Sequence, residues 1–332
     1  MNLKKISFLG CGSWGGALGL VLSKQGVPIT IWHRNQKIID SLALNKPHYL
    51  LPSLKFPDNV QFTSNIEEAV HKAEIIILAT PSQAIRNIIK SCKKYMDEKQ
   101  IIVNVAKGIE TDTLMTASEV IKDVIGKMSI NIVTLSGPSH AEEVIKRYPT
   151  ALVAASSNVR VSEKIQKLFS NEKLRVYVND DIRGVELGGS LKNVIAIASG
   201  IAEGIGYADN TKAALVTRGL AEVARLGSAM GGLYKTFSGL SGIGDLMVTC
   251  YSKYSRNRFV GEEIGRGNTL ESVLDGMTMV AEGVKTTESV YRLSKKYTVP
   301  MPISHAVYDI LFKNKNPKIA IEELMARELN EE

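Results

Sequence analysis

Gly10-Cys11-Gly12-Ser13-Trp14-Gly15 is the stretch that decides the fold of this chain. Residues 4–9 before it have the apolar character of a short buried strand, and residues 17–22 after it have that of a helix. A G-x-G-x-x-G motif between a first strand and a first helix is typical of a dinucleotide-binding loop. An ordinary glycine-rich turn is the alternative, and it would not need this strand and helix on either side.

The three glycines of the motif have separate tasks in such a loop. Gly10 allows the tight turn, Gly12 lets the backbone approach a pyrophosphate, and Gly15 lets the helix pack close to the sheet. The helix N-terminus then faces the negative charge of the phosphates, because its first N–H groups have no partner within the helix. We therefore predict a nucleotide site at this loop.

The composition excludes several classes of protein. The chain has 332 residues, 44% of them hydrophobic and 23% charged, which is typical of a globular protein with room for two cores. Its three cysteines and five histidines show no metal-ligand spacing, so we predict neither a metal site nor a disulfide framework. The net charge of +7 is scattered, and no apolar run reaches about eighteen residues. We therefore predict neither nucleic-acid binding nor a membrane span.

Strand and helix signals alternate in the first half of the chain. Residues 75–79, 101–105 and 130–135 are continuous apolar runs, as expected of a parallel sheet that is covered on both faces. After about residue 180 only helical patterns remain. The sequence predicts α/β plus all-α: residues 1–180 form a Rossmann-type, doubly wound, mostly parallel dinucleotide-binding domain, and residues 181–332 form a helical substrate-binding and catalytic domain.

The end of the second predicted strand, residues 27–32, bears on the choice of cofactor. NAD-binding folds place a carboxylate here for the ribose hydroxyls, but this chain has His33 and Arg34. An arginine suits a 2′-phosphate, so NADP(H) is favoured, with NAD(H) as the second choice. The alternative is that Arg34 is a solvated surface residue beside a site that ignores the 2′ position.

Other polar groups follow the predicted strands, where ligands of open parallel sheets bind. Lys107 comes just after a buried strand, from which its ammonium can reach an anionic substrate or a nicotinamide-side carbonyl. The alternative is that Lys107 is an ordinary exposed lysine. Ser136 and Ser139 follow a later strand, and the alternative for them is to cap the next helix.

Lys192 is the most informative single residue, because it lies in an almost wholly apolar helical stretch. No carboxylate lies within four residues of it on either side, so no local helix pair explains it. Removal from water lowers the pKa of a lysine, and such a lysine can exchange protons near neutral pH. We favour this catalytic interpretation over a lysine that extends its ammonium to water.

Two further places in the second half carry polar groups. Asp245 follows a glycine-rich break, where it either caps a helix or pairs with Lys192 and contacts a substrate hydroxyl. Ser255, Arg256 and Asn257 stand at the start of a predicted helix, where their donors suit a phosphate. The alternative for these three residues is a solvated basic helix start.

Several separated motifs occur in order along essentially the whole chain. They are residues 10–15, 106–110, 136–141, 186–187 with 191–193, 239–246, 255–257 and 280–283. With these motifs the chain resembles the bacterial-type NAD(P)-dependent glycerol-3-phosphate dehydrogenase family. Cys11 and Trp14 stand where members of that family vary, often having Ala and Tyr.

The resemblance implies an oxidoreductase that transfers a hydride reversibly between NAD(P)H and dihydroxyacetone phosphate to give sn-glycerol 3-phosphate. This product feeds glycerophospholipid synthesis. The resemblance also implies a cytoplasmic homodimer that works without a metal. In the family, the lysine that matches Lys192 donates or accepts the proton.

The resemblance also assigns the contacts to substrate and cofactor. The implied substrate contacts are Lys107, Gly137, Ser139, Lys192, Asp245, Ser255, Arg256 and Asn257. The implied cofactor contacts, beside the three glycines of the loop, are Ser13, Trp14, His33, Arg34, Tyr49, Lys107, Ala141, Arg256, Val280 and Glu282.

Two alternatives to this function remain at the level of sequence. One is a dehydrogenase of similar build that acts on a hydroxy acid, whose substrate carries a carboxylate instead of a phosphate. The other is a regulator that binds NADP(H) without turnover, and such a protein has no need for a desolvated lysine.

Overall fold

The computed structural model describes residues 5–328, which form two compact units. The first comprises Met1–Lys107 and Met115–Glu186, and the second comprises Gly108–Leu114 and Leu187–Glu332, within the described range. The short segment 108–114 therefore groups with the helical half of the chain, which the sequence did not predict.

One eight-stranded sheet forms the centre of the first unit. Its strand order is β3-β2-β1-β4-β5-β6-β7-β8, and every neighbouring pair is parallel except β6 and β7. This confirms the predicted doubly wound, mostly parallel sheet. The strands are β1 (Ile6–Leu9), β2 (Ile29–Trp32), β3 (Val60–Thr63), β4 (Ile75–Leu78), β5 (Ile101–Asn104), β6 (Asn131–Ser136), β7 (Thr150–Ala155) and β8 (Leu174–Asn179).

The sheet separates two apolar cores, and successive side chains of one strand enter different cores. In β4, Ile75 and Ile77 pack into one core, whereas Ile76 and Leu78 pack into the other. Helices cover both faces, so the central strands of this sheet are apolar at most positions. The helices of this unit are α1 (Ser13–Lys24), α2 (Gln36–Ala43), α3 (Ile66–Val70), α4 (Ile85–Cys92), α5 (Ala117–Ile125), α6 (Ala141–Ile145) and α7 (Val159–Phe169).

Strand β3 was missed by the sequence prediction because it lies at the sheet edge. Only Val60 of its four residues is fully buried, and Gln61 is exposed. An edge strand with one buried side chain has no continuous apolar run, which is the pattern that identified its neighbours.

The second unit is helical, as predicted, and its centre is a 24-residue helix, α8. The part of α8 from Leu187 onward belongs to this unit and is buried almost all round. None of the helices within residues 5–328 is long and apolar enough to cross a membrane. The helices are α8 (Ile182–Ile205), α9 (Asp209–Ala229), α10 (Tyr234–Phe237), α11 (Asp245–Tyr251), α12 (Arg256–Gly265), α13 (Leu270–Asp275), α14 (Glu282–Lys296), α15 (Pro302–Lys313) and α16 (Pro317–Met325).

Glycines allow α8 and α12 to touch backbone to backbone. A Cβ atom added at Gly200 of α8 would lie 2.0 Å from the carbonyl oxygen of Arg258, and one at Gly261 of α12 would lie 2.0 Å from that of Ile197. No side chain fits at such distances, so this close crossing fixes where α12 begins relative to the middle of α8.

The buried carboxylate of Glu222 accepts hydrogen bonds from the free N–H groups at the start of α15. Glu222 is 1% exposed and accepts hydrogen bonds from the N–H of Ile303 at 2.6 Å and from the N–H of Ser304 at 3.1 Å. The Ser304 hydroxyl donates a third at 2.9 Å. Burial raises the pKa of Glu222, and these hydrogen bonds oppose that rise.

We expect Glu222→Ala to lower the free energy of unfolding by about 3 kcal/mol, because it leaves buried donors without an acceptor. Urea unfolding followed by circular dichroism measures the change. Glu322→Ala, at an exposed carboxylate of α16, is the control and should stay within about 0.5 kcal/mol of the unmodified chain. Equal stability of the two variants would show that the Glu222 contacts contribute nothing.

Candidate active site

The glycine loop has the geometry that its spacing predicts. Gly10 has a φ of +111°, and a Cβ there would lie 2.5 Å from the carbonyl oxygen of Ala79. A Cβ at Gly15 would lie 2.7 Å from the Cβ of Ala79, so α1 packs directly on the sheet. At Gly12, which precedes the first residue of α1, the corresponding space is open to 4 Å. The loop therefore leaves room for a ligand beside Gly12 and none beside Gly10 or Gly15.

Buried polar atoms near the strand ends fit a bound dinucleotide. Trp14 Nε1, Thr80 Oγ1 just after β4 and Ser136 Oγ at the end of β6 are buried and find no hydrogen-bond partner among residues 5–328. Buried polar groups of folded proteins are nearly always hydrogen-bonded. These three atoms and the N-terminus of α1 are consistent with a polar ligand at the carboxyl ends of the strands.

His33 and Tyr49, two of the predicted cofactor residues, lie together beside this loop. Their rings are 6.0 Å apart, and the Tyr49 hydroxyl donates to the carbonyl oxygen of Cys11 at 2.8 Å. His33 is half-buried directly after β2, and its Nδ1 accepts from the N–H of Asn35 at 3.0 Å. Arg34 is exposed. No carboxylate occupies the first positions after β2, in agreement with the sequence.

Lys107, Gly137 and Ser139 meet at one carbonyl group. Lys107 Nζ and Ser139 Oγ both donate to the carbonyl oxygen of Gly137, at 2.9 and 3.0 Å. Gly137 has a φ of +135°, which favours glycine at this position. His140 precedes Ala141, the first residue of α6, and no side chain caps that helix, so the alternative that Ser136 and Ser139 are caps is wrong.

Lys192 is buried in the core of the second unit and paired with Asp245. Lys192 is 4% exposed, and its Nζ donates to Asp245 Oδ1 at 2.8 Å. The alternative of an ammonium that reaches water is therefore wrong. The partner is 53 residues away in sequence, on α11, so a search of the neighbouring positions could not find it. The N-cap position of α11 is occupied by Gly244, and Asp245 is the first residue inside the helix. Of the two alternatives for Asp245, the helix cap is therefore wrong, and pairing with Lys192 is what the structure shows.

Thr249 is a member of this cluster that the sequence analysis missed. Lys192 Nζ also donates to Thr249 Oγ1, and the Thr249 hydroxyl donates to the backbone carbonyl of Asp245 at 2.6 Å. Because Thr249 lies four residues after Asp245, both side chains are on one face of α11. The sequence did contain a signal for this pair, because an Asp and a Thr four residues apart follow a glycine-rich break.

Asn257 joins the start of α12 to α8 and to the start of α14. Its Nδ2 donates to Asn193 Oδ1 at 2.9 Å, and its Oδ1 accepts from the N–H of Gly283 at 2.9 Å. Ser255 caps α12, since its Oγ accepts from the N–H of Arg258 at 3.1 Å. The amide of Asn193 therefore has a partner in the predicted phosphate segment.

Three further predicted residues lie at or just before the starts of α12 and α14. Arg256 is the first residue of α12 and is half-buried, and Glu282 is the first residue of α14. Val280 is 52% exposed. No group of three or more His, Cys, Asp or Glu side chains that could hold a metal ion occurs within the described residues 5–328.

Comparison with known proteins places the chain in a family. The model of the NAD-dependent glycerol-3-phosphate dehydrogenase N-terminus matches residues 5–162, and that of the C-terminus of the same enzyme matches residues 181–322. The chain belongs to the NAD-dependent glycerol-3-phosphate dehydrogenase family. This confirms the resemblance that the sequence motifs indicated.

Relatives within the glycerol-3-phosphate dehydrogenase family match along nearly their whole length. Glycerol-3-phosphate dehydrogenase (NAD(P)+) of Bacillus subtilis strain 168 is 49% identical over 329 residues, 98% of this chain and 95% of the relative. The protein of that name from Chlorobium phaeobacteroides is 50% identical over 330 residues, 99% of each chain. The crystal structure of glycerol-3-phosphate dehydrogenase from Coxiella burnetii superposes with a TM-score of 0.94 at 35% identity, covering 98% of this chain and 99% of that one.

Two glycines of the dinucleotide loop should respond differently to an added methyl group. Gly15→Ala should lower the free energy of unfolding by about 2 kcal/mol, because its Cβ has no space. Gly12→Ala should change it by less than about 1 kcal/mol, yet weaken NADPH binding, because its Cβ enters open space beside the loop. Urea unfolding and a fluorescence titration with NADPH measure the two effects. Unchanged NADPH affinity in Gly12→Ala would contradict a pyrophosphate at this position.

Proposed function

We propose that this chain reversibly transfers a hydride between NAD(P)H and dihydroxyacetone phosphate, forming sn-glycerol 3-phosphate, with Lys192 as proton donor and acceptor. The observation that carries the proposal is the buried ammonium of Lys192 between Asp245 and Thr249, in a chain of the glycerol-3-phosphate dehydrogenase family. Reduction of a ketone leaves negative charge on its oxygen, and a buried ammonium is suited to neutralise that charge and to supply a proton.

The nicotinamide cofactor, when bound, supplies the hydride for the carbonyl carbon. The ammonium of Lys192 stabilises the charge that develops on the carbonyl oxygen and then gives that oxygen a proton from Nζ. Asp245 keeps the lysine charged before the transfer, because a carboxylate at 2.8 Å favours the protonated amine. Thr249, whose hydroxyl proton is directed to the Asp245 carbonyl, accepts from the ammonium and restricts its orientation. In the reverse direction the neutral amine takes the proton of the substrate hydroxyl.

The substrate phosphate is assigned to the start of α12. Ser255, Arg256 and Asn257 are there, and a helix N-terminus with an arginine in its first turn attracts a dianion. Lys107, Gly137 and Ser139 are proposed as further substrate contacts, with Lys107 adding positive charge. Holding the phosphate fixes the carbonyl group of the same small molecule, which raises the fraction of bound substrate in a reactive position.

The cofactor is assigned to the glycine loop of the first unit, with residues 1–180 as its domain and 181–332 as the substrate domain. NADP(H) is preferred over NAD(H), because His33 and Arg34 follow β2 where an NAD-specific site has a carboxylate. The other cofactor contacts proposed are Ser13, Trp14, Tyr49, Lys107, Ala141, Arg256, Val280 and Glu282.

The cellular setting is proposed from the family resemblance. The product is a precursor for glycerophospholipids, and the enzyme is a cytoplasmic homodimer. The helices of residues 5–328 contain no candidate membrane span, which is consistent with this setting.

Lys192→Arg tests the proton transfer while keeping the positive charge beside Asp245. We expect kcat with dihydroxyacetone phosphate to fall by about a hundred- to ten-thousandfold, because an arginine does not release its proton at neutral pH. Steady-state NADPH oxidation measures kcat, and a fluorescence titration should show NADPH affinity retained. Lys192→Met is less informative, since it leaves the Asp245 carboxylate buried without its partner at a cost of about 3–5 kcal/mol.

Lys212→Arg is the matched control for this experiment. Lys212 is 9% exposed and pairs with Glu203 at 2.8 Å, but it has no proposed part in the reaction. We expect its kcat to remain close to that of the unmodified enzyme. Normal turnover by Lys192→Arg would contradict the role of Lys192, whereas failure of the unmodified chain to turn over with either nicotinamide would contradict the function itself.

Arg34→Ala tests the cofactor preference. We expect KM for NADPH to rise about tenfold and KM for NADH to stay nearly constant, because only NADPH carries the 2′-phosphate. Arg160→Ala, at another exposed arginine of the first unit, should change neither value. Equal changes with both cofactors would contradict a 2′-phosphate contact at Arg34.

A further inference from the structure

His48 makes two kinds of hydrogen bond that together determine its protonation. The side chain is 1% exposed and lies between α2 and β3. Its Nδ1 accepts from the N–H groups of Leu50 at 3.2 Å and Leu51 at 3.1 Å. Its Nε2 lies 3.1 Å from the carbonyl oxygen of Cys11 and 3.5 Å from Cys11 Sγ.

Only one tautomer satisfies these contacts. Backbone N–H groups can only donate, so Nδ1 carries no hydrogen, and a carbonyl oxygen can only accept, so Nε2 carries one. His48 is therefore a neutral imidazole that donates to Cys11. The neighbouring Tyr49 donates to the same oxygen at 2.8 Å, and the two rings stack at a centroid distance of 4.8 Å.

The carbonyl that receives both bonds belongs to the centre of the glycine loop. The peptide between Cys11 and Gly12 is planar and trans, so its N–H points opposite to its C=O. Holding the Cys11 oxygen toward His48 and Tyr49 therefore directs the Gly12 N–H away from them. The space beside Gly12 is open, whereas a Cβ at Gly16 in the next turn would lie 3.1 Å from His48 Nε2.

We propose that His48 is a positioning residue for the dinucleotide: as a neutral donor it fixes the Cys11–Gly12 peptide in the orientation that binds the pyrophosphate. This inference rests on the proposed function, because it requires a dinucleotide at the loop. It adds a residue that neither the sequence motifs nor the resemblance assigned.

Among His48 and the two titratable side chains that contact it, His48 is the group whose charge changes with pH. Burial raises the pKa values of the Cys11 thiol and the Tyr49 phenol, each to about 12, so both stay neutral. The pKa of His48 is lowered, chiefly by burial, with the hydrogen bond to Cys11 opposing and the positive charge of His33 adding to the decrease. Burial also lowers the pKa of His33. Among residues 5–328, the thiol of Cys11 and the ring of Tyr49 contact His48, and the charge of His33 acts on it.

Acid should therefore weaken the arrangement. A group whose pKa is lower in the folded protein binds fewer protons there, so its contribution is complete above its ordinary pKa of about 6.5 and is lost as the pH falls toward the folded value. A proton can enter only at Nδ1, where it would displace the bonds from Leu50 and Leu51.

Two substitutions separate the loop contact from the rest of the side chain. In His48→Asn the amide oxygen lies near the position of Nδ1 and can accept from residue 50, but the amide nitrogen stops short of the position of Nε2 and so does not reach the Cys11 carbonyl. Gln places an amide nitrogen near Nε2 and does not titrate. We expect His48→Asn to weaken NADPH binding about tenfold, and His48→Gln to restore it to within about threefold. Fluorescence titration with NADPH measures both, with thermal unfolding recorded for each variant.

The pH dependence of NADPH affinity distinguishes the proposed role from a purely structural one, because a structural role would not make this affinity depend on the protonation of His48. NADPH affinity of the unmodified protein should be constant above about pH 6.5 and fall as the pH drops below that value, and it should fall less steeply in His48→Gln. His305→Gln is the control, since burial also lowers the pKa of His305, which contacts Ser294. It should keep the unmodified pH profile.

The outcomes distinguish the two proposals. If the unmodified chain binds neither NADPH nor NADH, the proposed function fails. If the unmodified chain binds NADPH and His48→Asn binds it equally well, the role of His48 is overturned and the function stands. The positioning role of His48 is also overturned if His48→Asn and His48→Gln lose the same NADPH affinity and the same thermal stability. The role is supported if His48→Gln restores NADPH affinity and if that affinity depends less on pH than in the unmodified protein.

Discussion

A buried ammonium group is the constraint on which the second unit depends. Removing a charge from water costs several kcal/mol even after the protein relaxes, and roughly the same applies to its carboxylate partner. The contact of Lys192 with Asp245 at 2.8 Å and the further bond that Thr249 accepts help to offset this cost. That geometry requires α8 and α11 to be held in fixed register, and a proton donor for a ketone needs the same rigidity.

Glycine contacts provide much of this rigidity. Gly200 and Gly261 bring α8 and α12 into backbone contact, and a Cβ at Gly283 would lie 2.8 Å from the carbonyl oxygen of Asn193. Asn257 then bonds to Asn193 and to the N–H of Gly283. Residues proposed to hold the phosphate are thereby tied to the helix that carries the lysine. Larger side chains at these glycines would separate the helices and move those groups apart.

The first unit uses backbone carbonyl oxygens in a comparable way. The carbonyl of Gly137 receives Lys107 and Ser139, and that of Cys11 receives His48 and Tyr49. Each carbonyl lies in a loop that follows a strand, at the edge where the ligands of parallel sheets bind. Side chains that fix loop peptides reduce the ordering cost of binding, which is the physical basis of preorganisation.

The architecture and most of the candidate site residues could be predicted from the order of residues along the chain. Continuous apolar runs identified the parallel sheet because both of its faces are buried, and the glycine spacing identified the loop because its turn tolerates no side chain. The sequence also singled out Lys192, since a lone charge in an apolar helix is unusual. These signals are local in the chain, with periods of a few residues.

Which side chains contact one another became known from the folded chain alone. Asp245 and Thr249 reach Lys192 across more than fifty residues, and His48 reaches Cys11 across 37. Strand β3 was missed because an edge strand needs few apolar residues, and segment 108–114 groups with the helices for reasons of packing. Periodicity records whether a side chain is buried, but not which distant side chain it meets, because that depends on how the helices and strands pack.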